Sequence, residues 1–274
     1  MGLTDLAVAL VAGAVQGVVE WLPVSSEAAV TLLLAGLGFT PAAAVRLALF
    51  LHVGTALAAT AYYRGELIDL LTELPAWRPG QAFDRESADL SFLALATIVS
   101  AAVGFGTYRL LLDVATELSG GAFVALIGGL LILTGLVQRA AGEAVLEEPR
   151  RPRPVDAGLV GIGQGLAVLP GISRSGTTVS LFLLRGYDGE TAFTFSFLLS
   201  IPAALGAGLL VVLETDGLPQ IAPSAAVVSL LASAAIGFAT IGLLMRLVRR
   251  IAFWGLCVGF GALAVLSGLL VISL

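Results

Sequence analysis

The sequence predicts an all-α integral membrane protein built as an inverted-topology repeat. Three observations lead there: long apolar runs, two polar breaks inside apolar stretches, and a likeness between those two breaks. Apolar residues make up 58% of the chain and charged residues 12%, against roughly 45–50% and about 25% in soluble domains. Crossing a hydrocarbon core of about 30 Å takes ~20 apolar residues. Six stretches qualify: about 41–63, 88–112, 120–139, 191–213, 222–246 and 251–272.

Two further apolar stretches do not read as simple spans. Residues 3–37 are interrupted by Glu20-Trp21-Leu22-Pro23-Val24-Ser25-Ser26-Glu27. Residues 156–186 are interrupted by Leu169-Pro170-Gly171-Ile172-Ser173-Arg174-Ser175-Gly176-Thr177-Thr178. Proline and glycine at a break cannot continue a helix. Non-helical backbone at membrane depth survives only where protein or a wet cavity satisfies it. Both stretches are therefore expected to be re-entrant helix–loop–helix hairpins.

The breaks align with each other. Gln16-Gly17-Val18-Val19-Glu20-Trp21-Leu22-Pro23 matches Gln164-Gly165-Leu166-Ala167-Val168-Leu169-Pro170 with one residue deleted, and serines follow both prolines. Each half is then one hairpin plus three spans, approximately 1–139 and 156–274, within a single polytopic domain joined by a linker at 140–155. Three is odd, so the second half enters from the opposite side. Sites in such repeats lie near the midplane, between the halves.

Arginine placement orients the chain. Arg64, Arg78, Arg85, Arg139, Arg150, Arg151, Arg153, Arg185, Arg246, Arg249 and Arg250 share one side, whereas Arg46 and Arg109 fall on the other. The arginine-rich side should be cytoplasmic, which puts both termini outside in a multi-pass cell-membrane protein. Segments 64–87 and 140–155, with charges of both signs, read as solvated cytoplasmic loops. The N-terminus carries no basic stretch ahead of its apolar run, so that first segment is expected to stay in the mature protein. The net charge of −5 argues against a nucleic-acid partner, which needs a basic surface. The single Cys257 allows no intrachain disulfide and reads as a small buried hydrophobe. Small residues such as Gly128-Gly129 permit close helix contacts, including those of a homodimer.

The breaks hold the chemistry. Arg174, flanked by Ser173 and Ser175, is a charge inside the membrane and marks function by default. Its planar fork suits phosphate oxygens. Hydroxyls of Ser173, Ser175 and Thr178, with free N–H groups where a helix restarts, complete an anion cradle. In the first break, Gln16 and Glu20 are four apart and share a helix face. Glu20, Ser25, Ser26 and Glu27 offer a base, a nucleophilic hydroxyl, or oxygen ligands for a hard cation. Magnesium needs only one or two carboxylates beside substrate phosphates. Glu27 reads equally as a charge at a helix N-terminus near a Ser25-Ser26 cap. Phosphoryl transfer uses this pairing of positive groups with a base or metal. An inverted-repeat transporter or flippase of a lipid phosphate or other anion is the alternative.

Gln16 to Glu20, Leu22 to Ser26 and Pro170 to Thr178 resemble the paired motifs of the undecaprenyl-diphosphate phosphatases associated with bacitracin resistance. The resemblance covers essentially the whole chain. It implies two re-entrant hairpins and six spans, and hydrolysis of polyprenyl diphosphate to the monophosphate on the outer face, recycling the lipid carrier for envelope glycan synthesis. It implies a divalent cation, magnesium or calcium, and functional roles for Glu20, Ser26, Ser173, Arg174 and Thr178. Gln16 is the amide variant of the motif's first position. One departure stands out: where bacterial members often place a catalytic histidine, this chain has Ala29, and Glu27 replaces a small residue. The only histidine, His52, lies midway along the span 41–63 and reads either as a packing residue or as an assistant to catalysis. Covalent phosphoserine formation and direct attack by water are both compatible with these residues.

Overall fold

The computed structural model describes residues 3–84, 87–142, 152–215, 221–248 and 253–273. All regular structure there is helical: α1 (Leu3–Val19), α2 (Ser26–Gly36), α3 (Pro41–Tyr62), α4 (Arg64–Glu73), α5 (Ala88–Glu117), α6 (Gly120–Gly142), α7 (Pro154–Leu166), α8 (Arg174–Leu184), α9 (Gly189–Glu214), α10 (Pro223–Val248) and α11 (Trp254–Ser273). Helices α3, α5, α6, α9, α10 and α11 are long and apolar enough to cross a bilayer, at the six places the composition marks. Leu213, Leu231, Leu243, Leu263 and Leu266 are each more than 60% exposed. So much bare leucine belongs against lipid, because water-soluble monomers rarely expose large apolar patches.

Small residues set how closely the helices approach. Gly121, Gly128 and Gly135 recur every seven residues on α6. A Cβ at each would collide with the backbone oxygens of Gly268, Gly261 and Trp254 on α11. The two backbones thus touch, as they do in lipid-embedded helix pairs. Gly128 is consumed inside the chain, whereas Gly129 faces open space. At one end of the pair, the Arg139 guanidinium lies 4.9 Å from the Trp254 ring centroid.

The two broken stretches fold as short helix pairs. In the first, α1 ends with Glu20 N donating to Gln16 O (3.0 Å) and Leu22 N to Val19 O (3.0 Å). Pro23 then has no N–H to offer, and α2 restarts at Ser26 with Ser25 as its cap. In the second, Leu169 N donates to Leu166 O (3.1 Å), Pro170 and Gly171 turn the chain, and Ser173 caps α8. Gly171 sits at φ +107°, and a Cβ there would strike Ile127 O. The start of α7 and the end of α8 are tied together: Arg185 Nε donates to Asp156 Oδ1 at 2.5 Å, and Tyr187 to Asp156 Oδ2 at 3.1 Å. The chain therefore enters and leaves this pair at one end.

The segment read as a solvated loop contains a helix. In α4, Ile68 and Leu71 are more than half exposed, while Leu67 and Leu70 pack on a core of Trp21, Tyr63 and Phe197. Its Glu66, Asp69 and Glu73 are too hydrophilic for a span, which hid its helical period. Arg85, Arg150, Arg151, Arg249, Arg250 and most of the 140–155 linker lie outside the described residues. Arg109 Nη2 meets Glu214 at 3.1 Å, joining the far ends of α5 and α9.

Candidate active site

The two breaks meet, and their tips are stitched by backbone and hydroxyl groups. Gly171 N donates to Ser25 Oγ at 3.1 Å, which also accepts from Ala28 N at 3.2 Å. Ser175 Oγ donates to Leu22 O at 3.4 Å. Ser25 has φ +63°, the only positive value among described non-glycine residues. A side chain in that region costs of order 1–3 kcal/mol and persists only where its surroundings hold it. Here the capped helix and the partner tip supply that hold. Thr134, on α6, gives its hydroxyl to Gly171 O (2.8 Å) and accepts from Ser173 N (3.2 Å). Gln138 donates to Pro23 O at 2.6 Å, and Cys257 to the same oxygen at 3.2 Å.

Glu20 is the hub. Its Oε1 accepts from Arg174 Nη2 at 2.8 Å. Its Oε2 accepts from Ser26 Oγ at 2.7 Å and from Gln16 Nε2 at 3.0 Å, with His52 Nε2 at 3.3 Å. Ser26 Oγ lies 3.4 Å from the same Nε2. His52 Nδ1 stands 2.8 Å from Ala48 O. A carbonyl only accepts, so Nδ1 carries a proton and Nε2 is the nitrogen turned to the site. Arg174 is aimed by a bond from Nη1 to Ser196 O (2.9 Å) and by the Phe197 ring, 5.4 Å away. These bonds use two of its five donors, leaving a fork for an anion.

The structure thus brings together Gln16, Glu20, Ser26, His52 and Arg174. Ser25, Ser173 and Ser175 lie in the joint between the tips. Ser173 Oγ accepts from Gly176 N at 3.1 Å. Thr178 is fully buried, behind the site, donating to Arg174 O (2.9 Å) and pairing with Ser196 Oγ (2.6 Å). Glu27 is buried at 4% exposure, and its Oε1 has no hydrogen-bond partner among the described residues. Ala29 lines an apolar groove beside the site. Sequence reasoning left His52 undecided between packing and chemistry; one turn of α3 after Ala48 puts its ring on the Ser26 hydroxyl. Ser196, Thr134 and Gln138 were missed, although each is a polar residue within an apolar span, the signal by which such roles are found.

Residues 9–266 match the protein family described as Bacitracin resistance protein BacA. The chain belongs to this family. Relatives named undecaprenyl-diphosphatase include one from Haloarcula marismortui, 52% identical over 98% of this chain and 99% of that protein. One from Methanococcoides burtonii is 36% identical over 97% and 99%. One from Methanopyrus kandleri is 38% identical over 96% of each. The match covers both breaks, the first five long helices and the larger part of α11. The site just described therefore lies wholly within the matched region.

Proposed function

We propose that this BacA-family protein is a membrane phosphatase that hydrolyses a polyprenyl diphosphate, such as undecaprenyl diphosphate, to the monophosphate. The observation that carries the reading is the Ser26 hydroxyl held between Glu20 and His52, with the Arg174 fork on the other oxygen of Glu20. Arg174 clamps the terminal phosphate. The Ser26 hydroxyl, which donates to Glu20 Oε2 at rest, turns its proton to His52 Nε2, 3.4 Å away, and Oγ attacks the phosphorus as that nitrogen takes it. The P–O bond to the prenyl monophosphate breaks, and that product leaves with the bonding electrons and takes the proton from His52 Nε2, which frees the nitrogen for the second step. Water, deprotonated by the same nitrogen, then releases inorganic phosphate from Ser26. Glu20 holds the imidazole and the serine in register and stabilises the charge that His52 gains. The transport reading needs no hydroxyl poised in this way.

A divalent cation, magnesium or calcium, fits the donors present. Glu20 and the amide oxygen of Gln16, which has no hydrogen-bond partner among the described residues, would hold it. When bound, it would neutralise charge on the diphosphate. Described residues bring no three His, Cys, Asp or Glu into one cluster, so amide and substrate oxygens would complete its shell.

The isoprenoid tail has a path. A groove of about 1250 Å³ runs from Leu22 and Val24 past Ala29 and Ala35 to Phe39, walled by Phe260 and Leu263 of α11. Its walls carry no charged residue, and the family's histidine position is a methyl group that widens it. The architecture follows the same logic: α1 packs on α10 as α7 packs on α5, while α3 meets α9 and α6 meets α11. This pairing supports the inverted repeat; re-entrant broken pairs agree with it, and the arginine asymmetry supports both termini outside. Phosphate release from farnesyl and undecaprenyl diphosphates by purified protein, with and without chelator, tests the reading. No release in either cation would end it.

A further inference from the structure

We infer that Glu27 is the second carboxylate of a hard divalent-cation site, completed by the Gln16 and Thr31 oxygens beside Glu20. The cation's purpose rests on the phosphatase reading; the site itself rests on the donors. Among the described residues, Gln16 Oε1, Glu27 Oε1 and Thr31 Oγ1 are all buried without a hydrogen-bond partner. Gln16 and Thr31 are fully buried and Glu27 is 96% buried. Buried polar side chains nearly always find partners, and three orphans on two adjoining helices of one broken pair need a common explanation.

The geometry brings them to one place. Glu27 and Thr31 are four apart on α2 and share a face. The Gln16 amide nitrogen is bonded to Glu20 Oε2, so its orphan oxygen, on the same carbon, lies beside that carboxylate. Glu27 is close enough to Glu20 and His52 to interact electrostatically with both. Glu20 is already matched by Arg174 and His52, and among the described residues no arginine forms an ion pair with Glu27. The donors are oxygens only: one amide, one hydroxyl and carboxylates. That set suits magnesium, calcium or manganese rather than zinc or copper.

Sequence position gives the idea its shape. The motif's first carboxylate is an amide here, Gln16, while an extra carboxylate stands at Glu27. The amide stands on α1 and the further carboxylate on α2, the helix packed against it.

The test uses the full chain in detergent with Mn2+ as the probe, bound Mn2+ being counted by electron paramagnetic resonance. Glu27→Gln is expected to weaken Mn2+ binding at least tenfold, and Thr31→Val severalfold. Gln16→Glu should tighten binding, and Gln16→Glu with Glu27→Gln should return to within about threefold of the parent. Thermal unfolding checks that each variant is folded. If Glu27→Gln does not fold, Gln16→Glu alone decides, and unchanged affinity there overturns the site. Parent-like Mn2+ binding by folded Glu27→Gln, or no Mn2+ bound by the parent at millimolar concentration, overturns it too. Phosphate release from farnesyl diphosphate is followed in parallel. Mn2+ held through Glu27 without any turnover would sink the phosphatase reading and leave the cation site standing; turnover with Glu27-independent binding would do the reverse.

Discussion

Glu20 accepts or faces four side chains from three parts of the chain, so its neighbours are not interchangeable. Arg174→Lys keeps the charge but loses the fork that reaches Glu20 and Ser196 together. Its turnover should fall at least about tenfold, equal to about 1.4 kcal/mol of transition-state stabilisation. Parent-like kcat/KM in the lysine variant would remove Arg174 from the phosphate clamp. His52→Ala should lower kcat by about 100-fold or more, the usual contribution of general acid–base catalysis, with KM little changed. Retained kcat would return the proton transfer to Glu20. At this scale, Glu20, Ser26 and Arg174 were legible because charges and hydroxyls inside apolar stretches have few innocent uses. His52 was not, since its reach to Ser26 depends on how α3 packs against α2. That Ser25 and Ser175 also bond across the tip joint was not legible, since it depends on how the two breaks meet.

At the scale of elements, helix contacts made by small residues carry the fold. Gly128→Val drives a branched side chain into the Gly261 backbone. The variant should lose roughly 1–3 kcal/mol, typical of overpacking, read as a lower thermal midpoint in detergent; an unchanged midpoint would show that α6 and α11 can separate freely. Asp156→Ala leaves Arg185 and Tyr187 without their common acceptor. Asp156 is fully buried but Arg185 reaches solvent, so the loss should be about 1–3 kcal/mol, and α7 and α8 should become the first segment to exchange amide protons. Asp188 caps α9, and the Thr191 hydroxyl and N–H hold its carboxyl below the usual range. A carboxylate lowered by folding stabilises above its unfolded pKa and loses that effect as pH falls. Asp188→Ala should therefore cost about 1 kcal/mol near neutrality and progressively less in acid. Span positions were legible from hydropathy alone, to within a few residues. Helix α4 was not: its apolar residues are split between core and surface, and its acidic residues mask the period.

For the whole molecule, the arginine asymmetry predicts both termini outside. A cysteine at Ser273 should react with a membrane-impermeant maleimide added to intact cells, given that Cys257 is buried; protection from the reagent would invert the orientation. Among the described arginines, Arg46 sits near the start of α3 and Arg64 just past its end, one on each of the two sides that the asymmetry contrasts. The apolar groove makes a separate claim about substrate length. Ala35→Trp, far from the tips, should raise KM for undecaprenyl diphosphate severalfold while leaving a five-carbon diphosphate untouched. Equal effects on both would place the tail elsewhere. Two halves of like pattern were readable in the sequence because the breaks align; which helix of one half meets which of the other was not, as packing partners leave no mark in composition.

The Glu20–Arg174 ion pair joins residues 154 positions apart, and this has a consequence for the order in which the molecule is made. During synthesis the first broken pair enters the bilayer long before Arg174 exists. A carboxylate in that setting has no arginine to meet, and an unpaired buried charge is costly. Only after the first 174 residues have been made can the pair close, so this contact between the two breaks is one that the first half cannot form by itself.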